Sequence, residues 1–454
     1  SEPTLLQRLR VGGWGIRSWS AAFSMPSPRS SQYALGIGIG IGLILPPIAR
    51  RLRRILSESS STKVVEVSDD TTHVVRSGLR SSSAVRVPRS VLEDFVARCL
   101  VGAGADQSHA PLVAAVLVYA DARGIPSHGV NRADHYANEI ESGVVDGTAV
   151  PVVEKSSGCC AVVDGKNGLG AVVSELAMKT AINLAREHGV GFVVCHQSNH
   201  FGAAGFWAQR ALEEGMMGMS FTNTSPFAVP TGGMTRAVGT NPFCCFAPAV
   251  HDDGASFAKL DSFQLDMATT VVPIGKIEVM DRIKKPVPAG WGVDRNGKNC
   301  HDAEEICKHG GLYPLGGPEE TGGYKGYGLG MFVEIMCSIL SGAAVGPHVE
   351  KWVPSREGAI RYGHCFVAVD PTRFASGYSE RLVQYLDTMR SLEGNVQVPG
   401  DPEKAFEQDA AKNGVLLHGE VAASLKSLAD KFGVEVPSVF ASIDTASSRA
   451  SLYK

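Results

Sequence analysis

The chain has 454 residues, 44% hydrophobic and 20% charged, enough to bury a sizeable core in two or three domains or subdomains. A formal net charge of −3 excludes a bulk electrostatic attraction to nucleic acid. Ten cysteines include the vicinal pairs Cys159-Cys160 and Cys244-Cys245, which bridge only with strain, so the pattern is that of a reducing compartment rather than a disulfide framework.

Residues 1–32 carry Arg8, Arg10, Arg17 and Arg29 among many serines, with Glu2 as the acid, the composition of a mitochondrial import segment. Residues 33–49 are uncharged and glycine-alternating; as a helix they would reach about 25 Å, just short of a bilayer core of ~30 Å. Arg50, Arg51, Arg53 and Arg54 follow and would hold that end in the matrix or cytosol. Two readings stand: an anchor in the inner membrane, or a removable leader. The glycines lack the third position of a dinucleotide fingerprint. Residues 50–87 read as a linker.

From Pro88 the pattern is globular. Ser90 is placed to cap a helix with Val91, Phe95, Val96 and Leu100 on one face, and a second helix is expected over 109–120. It delivers Asp121-Ala-Arg-Gly-Ile-Pro-Ser-His-Gly-Val-Asn-Arg132, with Tyr136 beyond. Ser127 and His128 sit in a turn, and Arg132 and Tyr136 share a face if a helix restarts near Val130. Such a set suits a small carboxylate: arginine pairs with it and histidine handles a proton.

The stretch 190–223 reads as strand, polar turn, helix, strand, with Ser198, Asn199 and His200 at the strand-to-helix turn. In an open sheet that turn lies where backbone N–H groups favour an anionic ligand. Further on, 265–270 ends a strand at Asp266 and two threonines, and 291–297 reads as a hairpin or tight loop. Cys300, His301, Cys307 and His309 match no zinc spacing, and no metal is expected. Gly322-Gly-Tyr-Lys-Gly-Tyr-Gly328 reads as a glycine loop opening an apolar helix over 329–340, a phosphate cradle in principle but not a Walker sequence. A strand over 365–369 and helices over 380–392 and 419–432 complete the chain before a flexible tail at 438–454.

Residues 88–437 resemble the type-2 malate/L-lactate dehydrogenase family, whose relatives include sulfolactate and ureidoglycolate dehydrogenases. The resemblance rests on Asp121-Ala-Arg-Gly…Ser127-His-Gly…Arg132, Ser198-Asn-His-Phe-Gly202, Pro230-Thr-Gly-Gly233 and Gly239-Thr-Asn-Pro242. It continues through Asp266-Met-Ala-Thr269, Gly275-Lys276, Gly290-Trp291…Asp294, Gly323-Tyr-Lys-Gly326 and Pro399-Gly-Asp-Pro402. Pro126 stands where relatives place an acidic residue. The family implies an α/β fold: a non-Rossmann nicotinamide-binding domain with a mixed sheet, here 155–345, packed against a helical domain built from 88–154 and 346–437.

The resemblance further implies NAD- or NADP-dependent hydride transfer between a small 2-hydroxy acid, malate- or lactate-like, and its 2-oxo partner, in a homodimer. It makes His128 and His200 the candidate catalytic histidines, with Arg132 on the substrate carboxylate and Ser127 and Tyr136 alongside. Asn199, His200, Thr240, Asn241, Asp266, Met267, Ala268, Gly323, Lys325, Gly326 and Gly328 become the candidate cofactor contacts. Which histidine moves the proton stays open, with His128 favoured because Ser127 and Arg132 set it beside the substrate. The alternative from another class is a catalytically silent, dehydrogenase-like accessory subunit of a mitochondrial membrane assembly.

Overall fold

The computed structural model describes residues 84–249, 261–282, 284–352 and 357–441, which fall in one compact unit, Asp69–Lys454. The import-like segment, the candidate membrane segment 33–49 and nearly all of the linker lie outside the described residues. Among the described residues no helix is long and apolar enough to cross a membrane.

The described chain opens with β1 (Val85–Val87), followed by α1 (Arg89–Gly102), α2 (Ala110–Ala122) and α3 (Ala133–Glu141). Next come β2 (Val152–Ser157), β3 (Cys160–Asp164), α4 (Gly170–His188), β4 (Val190–Ser198), α5 (Ala204–Glu213) and β5 (Met217–Thr222). The middle holds β6 (Phe243–Pro248), β7 (Ser262–Met267), α6 (Ile274–Arg282), β8 (Gly292–Val293), α7 (Ala303–Lys308) and β9 (Gly311–Leu312). The last part holds α8 (Gly323–Glu334), β10 (Tyr362–Val369), α9 (Tyr378–Arg390), α10 (Asp401–Asn413), β11 (Val415–Leu417) and α11 (Gly419–Phe432).

A seven-stranded mixed sheet runs β2-β3-β4-β10-β5-β6-β7. Only the β3–β4 pair is parallel. Side chains alternate across β4 as a pleat requires: Val193 and Cys195 join the large core under α4 and α5, while Val194 faces the cluster with Val333 and Cys337 of the α8 side. Helices therefore cover both faces. Strand β1 pairs with β11, clasping the start of the described chain to its late part.

The strand–helix–strand reading of 190–223 is right in its elements and incomplete in its pairing. β4 and β5 are not neighbours, because β10 lies antiparallel between them. Seven of the eight β10 residues are buried, and a strand apolar on both faces needs a central place. A domain boundary at 346 therefore cuts off the middle of the sheet, and one at 155 cuts β2. Ser90 lies inside α1, whose cap position is Pro88, and makes no capping bond. The glycines at 323–328 belong to the body of α8 rather than to a loop before it. Helix α10 was not anticipated, although Pro402 in its first turn beside Asp401 and Glu403 is a helix-start pattern.

Candidate active site

Helix α2 ends at Ala122, and two 3₁₀ turns, Pro126–His128 and Val130–Arg132, carry the chain into α3. Asp121 pins this crossing: its Oδ2 accepts the Val130 N–H at 2.7 Å. A Cβ on Gly129 would lie 2.0 Å from the same carboxylate, so only glycine lets the loop pass. Arg132 Nε donates to the Ser127 carbonyl at 2.8 Å, and Ser127 Oγ lies 2.9 Å from His128 Nδ1.

The β4–α5 turn delivers the second histidine. Tyr136 on α3 places its hydroxyl 2.5 Å from His200 Nδ1, and the Gly202 N–H donates to the same nitrogen at 3.3 Å. The His128 and His200 rings lie 5.6 Å apart at 20°. Two sequence clusters about 70 residues apart thus form one site containing Ser127, His128, Arg132, Tyr136 and His200. A small pocket beside it is lined by Tyr136, Glu139, Leu169, Asn199 and His200.

Burial, reinforced by the Arg132 charge, lowers the His128 pKa to about 4. Burial also holds His200 well below the usual histidine range, with the positive neighbours His128 and Arg132 adding to it. Desolvation disfavours the charged imidazolium, so both rings are neutral near pH 7. The Tyr136 phenol is pushed up, chiefly by burial. Asp121 is raised to about 7 by burial against its one backbone hydrogen bond.

On the candidate cofactor side, Asp266 is the penultimate residue of β7 and accepts the Gly205 N–H at 2.8 Å in the first turn of α5. Burial raises its carboxyl to about 6, against the Gly205 hydrogen bond and the Arg123 charge, which lower it. Met267 and Ala268 are half-buried beside it. A carboxylate near a strand end is a group that could accept from the ribose hydroxyls of a nicotinamide cofactor.

Asn199 and Asn241 are buried, and their amides hold the scaffold. Asn199 Nδ2 donates to the Asn167 and Gly168 carbonyls. Asn241, at φ +33°, accepts from the Thr224 N–H and donates to the Gly330 carbonyl and the Glu334 carboxylate. Thr240 donates its N–H to Thr224 Oγ1 and accepts from Thr269. Lys325 is exposed. A Cβ on Gly323 would lie 1.8 Å from the Gly317 carbonyl oxygen, and one on Gly326 would lie 2.2 Å from that of Leu315. Packing accounts for both glycines. Gly328 alone has open space beside it.

Three participants were not anticipated. Trp352 stacks on His200 at 4.1 Å and 9°. Glu139 accepts the Trp352 Nε1–H at 3.0 Å. His364, in the centre of the sheet, pairs with Ser198 Oγ at 2.8 Å and Thr222 Oγ1 at 2.7 Å, and is held down to about pKa 3 by burial. Trp352 sits between elements with no periodicity around it, whereas Glu139 lies one turn beyond Tyr136 and two beyond Arg132 on the same face and could have been read.

The sequence profile of the malate/L-lactate dehydrogenase family matches residues 87–426. The malate dehydrogenase of Pyrococcus horikoshii is 37% identical over 366 residues, covering 79% of this chain and 98% of that protein. A solved structure of malate dehydrogenase from the same organism superposes with a TM-score of 0.71 at 35% identity, over 79% of this chain and 98% of its own. The ureidoglycolate dehydrogenase (NAD(+)) of Escherichia coli O157:H7 is 32% identical over 74% of this chain and 94% of its own. The (2R)-3-sulfolactate dehydrogenase (NADP(+)) of Chromohalobacter salexigens is 29% identical over 71% and 91%. With a profile match spanning most of its length and a relative covered almost end to end, the chain belongs to the malate/L-lactate dehydrogenase family.

Proposed function

We propose that this protein interconverts a small 2-hydroxy acid and its 2-oxo acid by hydride transfer with NAD(H) or NADP(H). The observation that carries the reading is the pair of histidine rings, 5.6 Å apart, bordered by Arg132 and Tyr136. Relatives named for malate, ureidoglycolate and sulfolactate share a carboxylate next to a carbinol or carbonyl, and Arg132 is the cation for it. The nicotinamide, when bound, gives hydride to or takes it from C2 of the acid. Asp266, Met267, Ala268 and the open side of Gly328 are the residues best placed to hold it.

The proton belongs to His128. A backbone N–H can only donate, so the Gly202 contact fixes His200 Nδ1 as an acceptor. Neutral His200 then carries its proton on Nε2 and offers a donor to the substrate oxygen. His128 Nδ1 faces a hydroxyl, which can donate or accept, so its Nε2 is free to hold a lone pair. It takes the O–H proton during oxidation and returns it during reduction. A carboxylate on Arg132 offsets the neighbouring charge and raises the proton affinity of His128.

The exposed apolar face made by Met331 and Phe332 of α8, continued by Ile335, Ile339 and Leu340, supports a homodimer, since monomers rarely leave such patches open. The composition of residues 1–32 supports mitochondrial import, and 33–49 reads either as an inner-membrane anchor or as part of a removable leader; fractionation with sequencing of the mature N-terminus separates the two. The function is tested on the full chain by following NADH and NADPH oxidation with oxaloacetate, pyruvate, 2-oxoglutarate and sulfopyruvate. Turnover is expected with at least one; no turnover and no nicotinamide binding by calorimetry would sink the reading. His128→Asn should lower kcat by about 10²–10⁴.

A further inference from the structure

Arg132, His135, Tyr136 and Glu139 stand at i, i+3, i+4 and i+7, one stripe along the start and body of α3. All four meet Trp352. The Arg132 guanidinium lies 5.3 Å from the indole centroid, His135 meets the indole edge-on at 4.4 Å, Tyr136 lies at 6.3 Å, and Glu139 accepts the Nε1–H at 3.0 Å. The same indole lies flat on His200, 4.1 Å away at 9°. Its backbone is fixed as well. The Trp352 N–H donates to Ser225 Oγ at 2.8 Å, and that hydroxyl donates to the Glu350 carbonyl at 2.6 Å and lies 3.0 Å from the Tyr362 hydroxyl.

We infer that Trp352 is a positioning residue for the proton-transfer site: its indole sets the plane of the His200 ring and ties that ring to the substrate-facing stripe of α3. The role rests on the dehydrogenase reading above. An imidazole held by one nitrogen can still swing about its χ angles, and the Tyr136 and Gly202 contacts both reach Nδ1. A flat ring at van der Waals distance removes that swing and leaves Nε2 aimed in one direction. The indole also takes one face of His200 out of water. That adds to the burial which, with His128, Arg132, His135 and His364 around the ring, disfavours its protonation. Tyr136 and Glu139 complete the groups facing this cluster from α3.

The test uses the full chain with Trp352→Ala and Trp352→Phe, oxaloacetate and either nicotinamide, and carbethoxylation of His200 at pH 7 followed by peptide mass spectrometry. In Trp352→Ala, kcat should fall at least tenfold, and the acid limb of the kcat/KM profile should move to higher pH. His200 should be carbethoxylated several-fold faster. Trp352→Phe keeps a ring on the imidazole and should restore kcat to within about threefold of the parent, with slow labelling. A Trp352→Ala enzyme with unchanged kcat and acid limb, or with His200 labelled at the parent rate, overturns the assignment. If the parent turns over no 2-oxo acid, the dehydrogenase reading falls and the role in turnover falls with it. The labelling rates then still decide whether Trp352 holds His200, so the two failures are told apart.

Discussion

Asp121 shows how one side chain can set the loop that carries His128 and Arg132. It receives the Val130 N–H and lies against Gly129, between His128 and Arg132 in the chain. Burial raises its carboxyl to about 7, above the ~3.9 of an unfolded aspartate. A carboxyl raised on folding contributes stability that is complete below about pH 4 and is lost as pH rises through about 7. Asp121→Asn keeps an acceptor for Val130 and has no charge to bury, so it should be more stable than the parent at pH 8, by up to about 4 kcal/mol for a pKa raised by about three. The two should converge near pH 4. Urea unfolding at both pH values checks this, and equal stabilities at pH 8 would contradict it. The sequence exposed Ser127, His128, Arg132 and Tyr136 because turn residues and helical spacing are local. It did not expose what Asp121 or Trp352 does, since each acts through contacts that chain spacing does not encode.

At the scale of an element, α8 separates two reasons for a glycine. Gly323 and Gly326 face backbone, at 1.8 Å and 2.2 Å from where a Cβ would sit, whereas nothing lies within 4 Å of one built on Gly328. Gly326→Ala must push α8 off the Leu315 segment, and we expect a loss of about 1–3 kcal/mol. Gly328→Ala should instead gain about 0.5–1 kcal/mol, because alanine has the better helix propensity. If Gly328 borders the nicotinamide, that variant will also bind NADH or NADPH more weakly despite its higher melting temperature. Unchanged affinity by calorimetry would remove Gly328 from the cofactor contacts. The sequence read these glycines as a loop because glycine clusters usually mark turns. Here each tight approach is set by a partner segment, 315–317, and only the folded chain reveals it.

At the scale of the molecule, helix and strand periodicity located most of the elements, and the pairing of β10 escaped it. Strand order depends on contacts between distant segments, and a run such as Cys-Phe-Val-Ala-Val reads alike in any buried strand. That central strand brings His364 under Ser198, next to the His200 turn, so the sheet and the site share a pH response. His128 and His364 are lowered to about 4 and about 3, and His200 well below its usual range, each mainly by burial. The unfolded chain protonates these rings near pH 6.5 while the native one does not. Their contribution to stability is therefore complete above about 6.5 and is lost as pH falls through 4 toward 3. Asp121 and Asp266, raised to about 7 and about 6, act in the opposite sense and soften the decline. Three rings outweigh two carboxyls, so the melting temperature should fall between pH 6.5 and 4. His364→Gln can still bond Ser198 and Thr222 but has nothing to protonate. It should flatten the dependence of unfolding free energy on pH by up to one proton, ~1.4 kcal/mol per pH unit. Equal slopes for the two proteins over that window would mean that His364 is not held neutral by the fold.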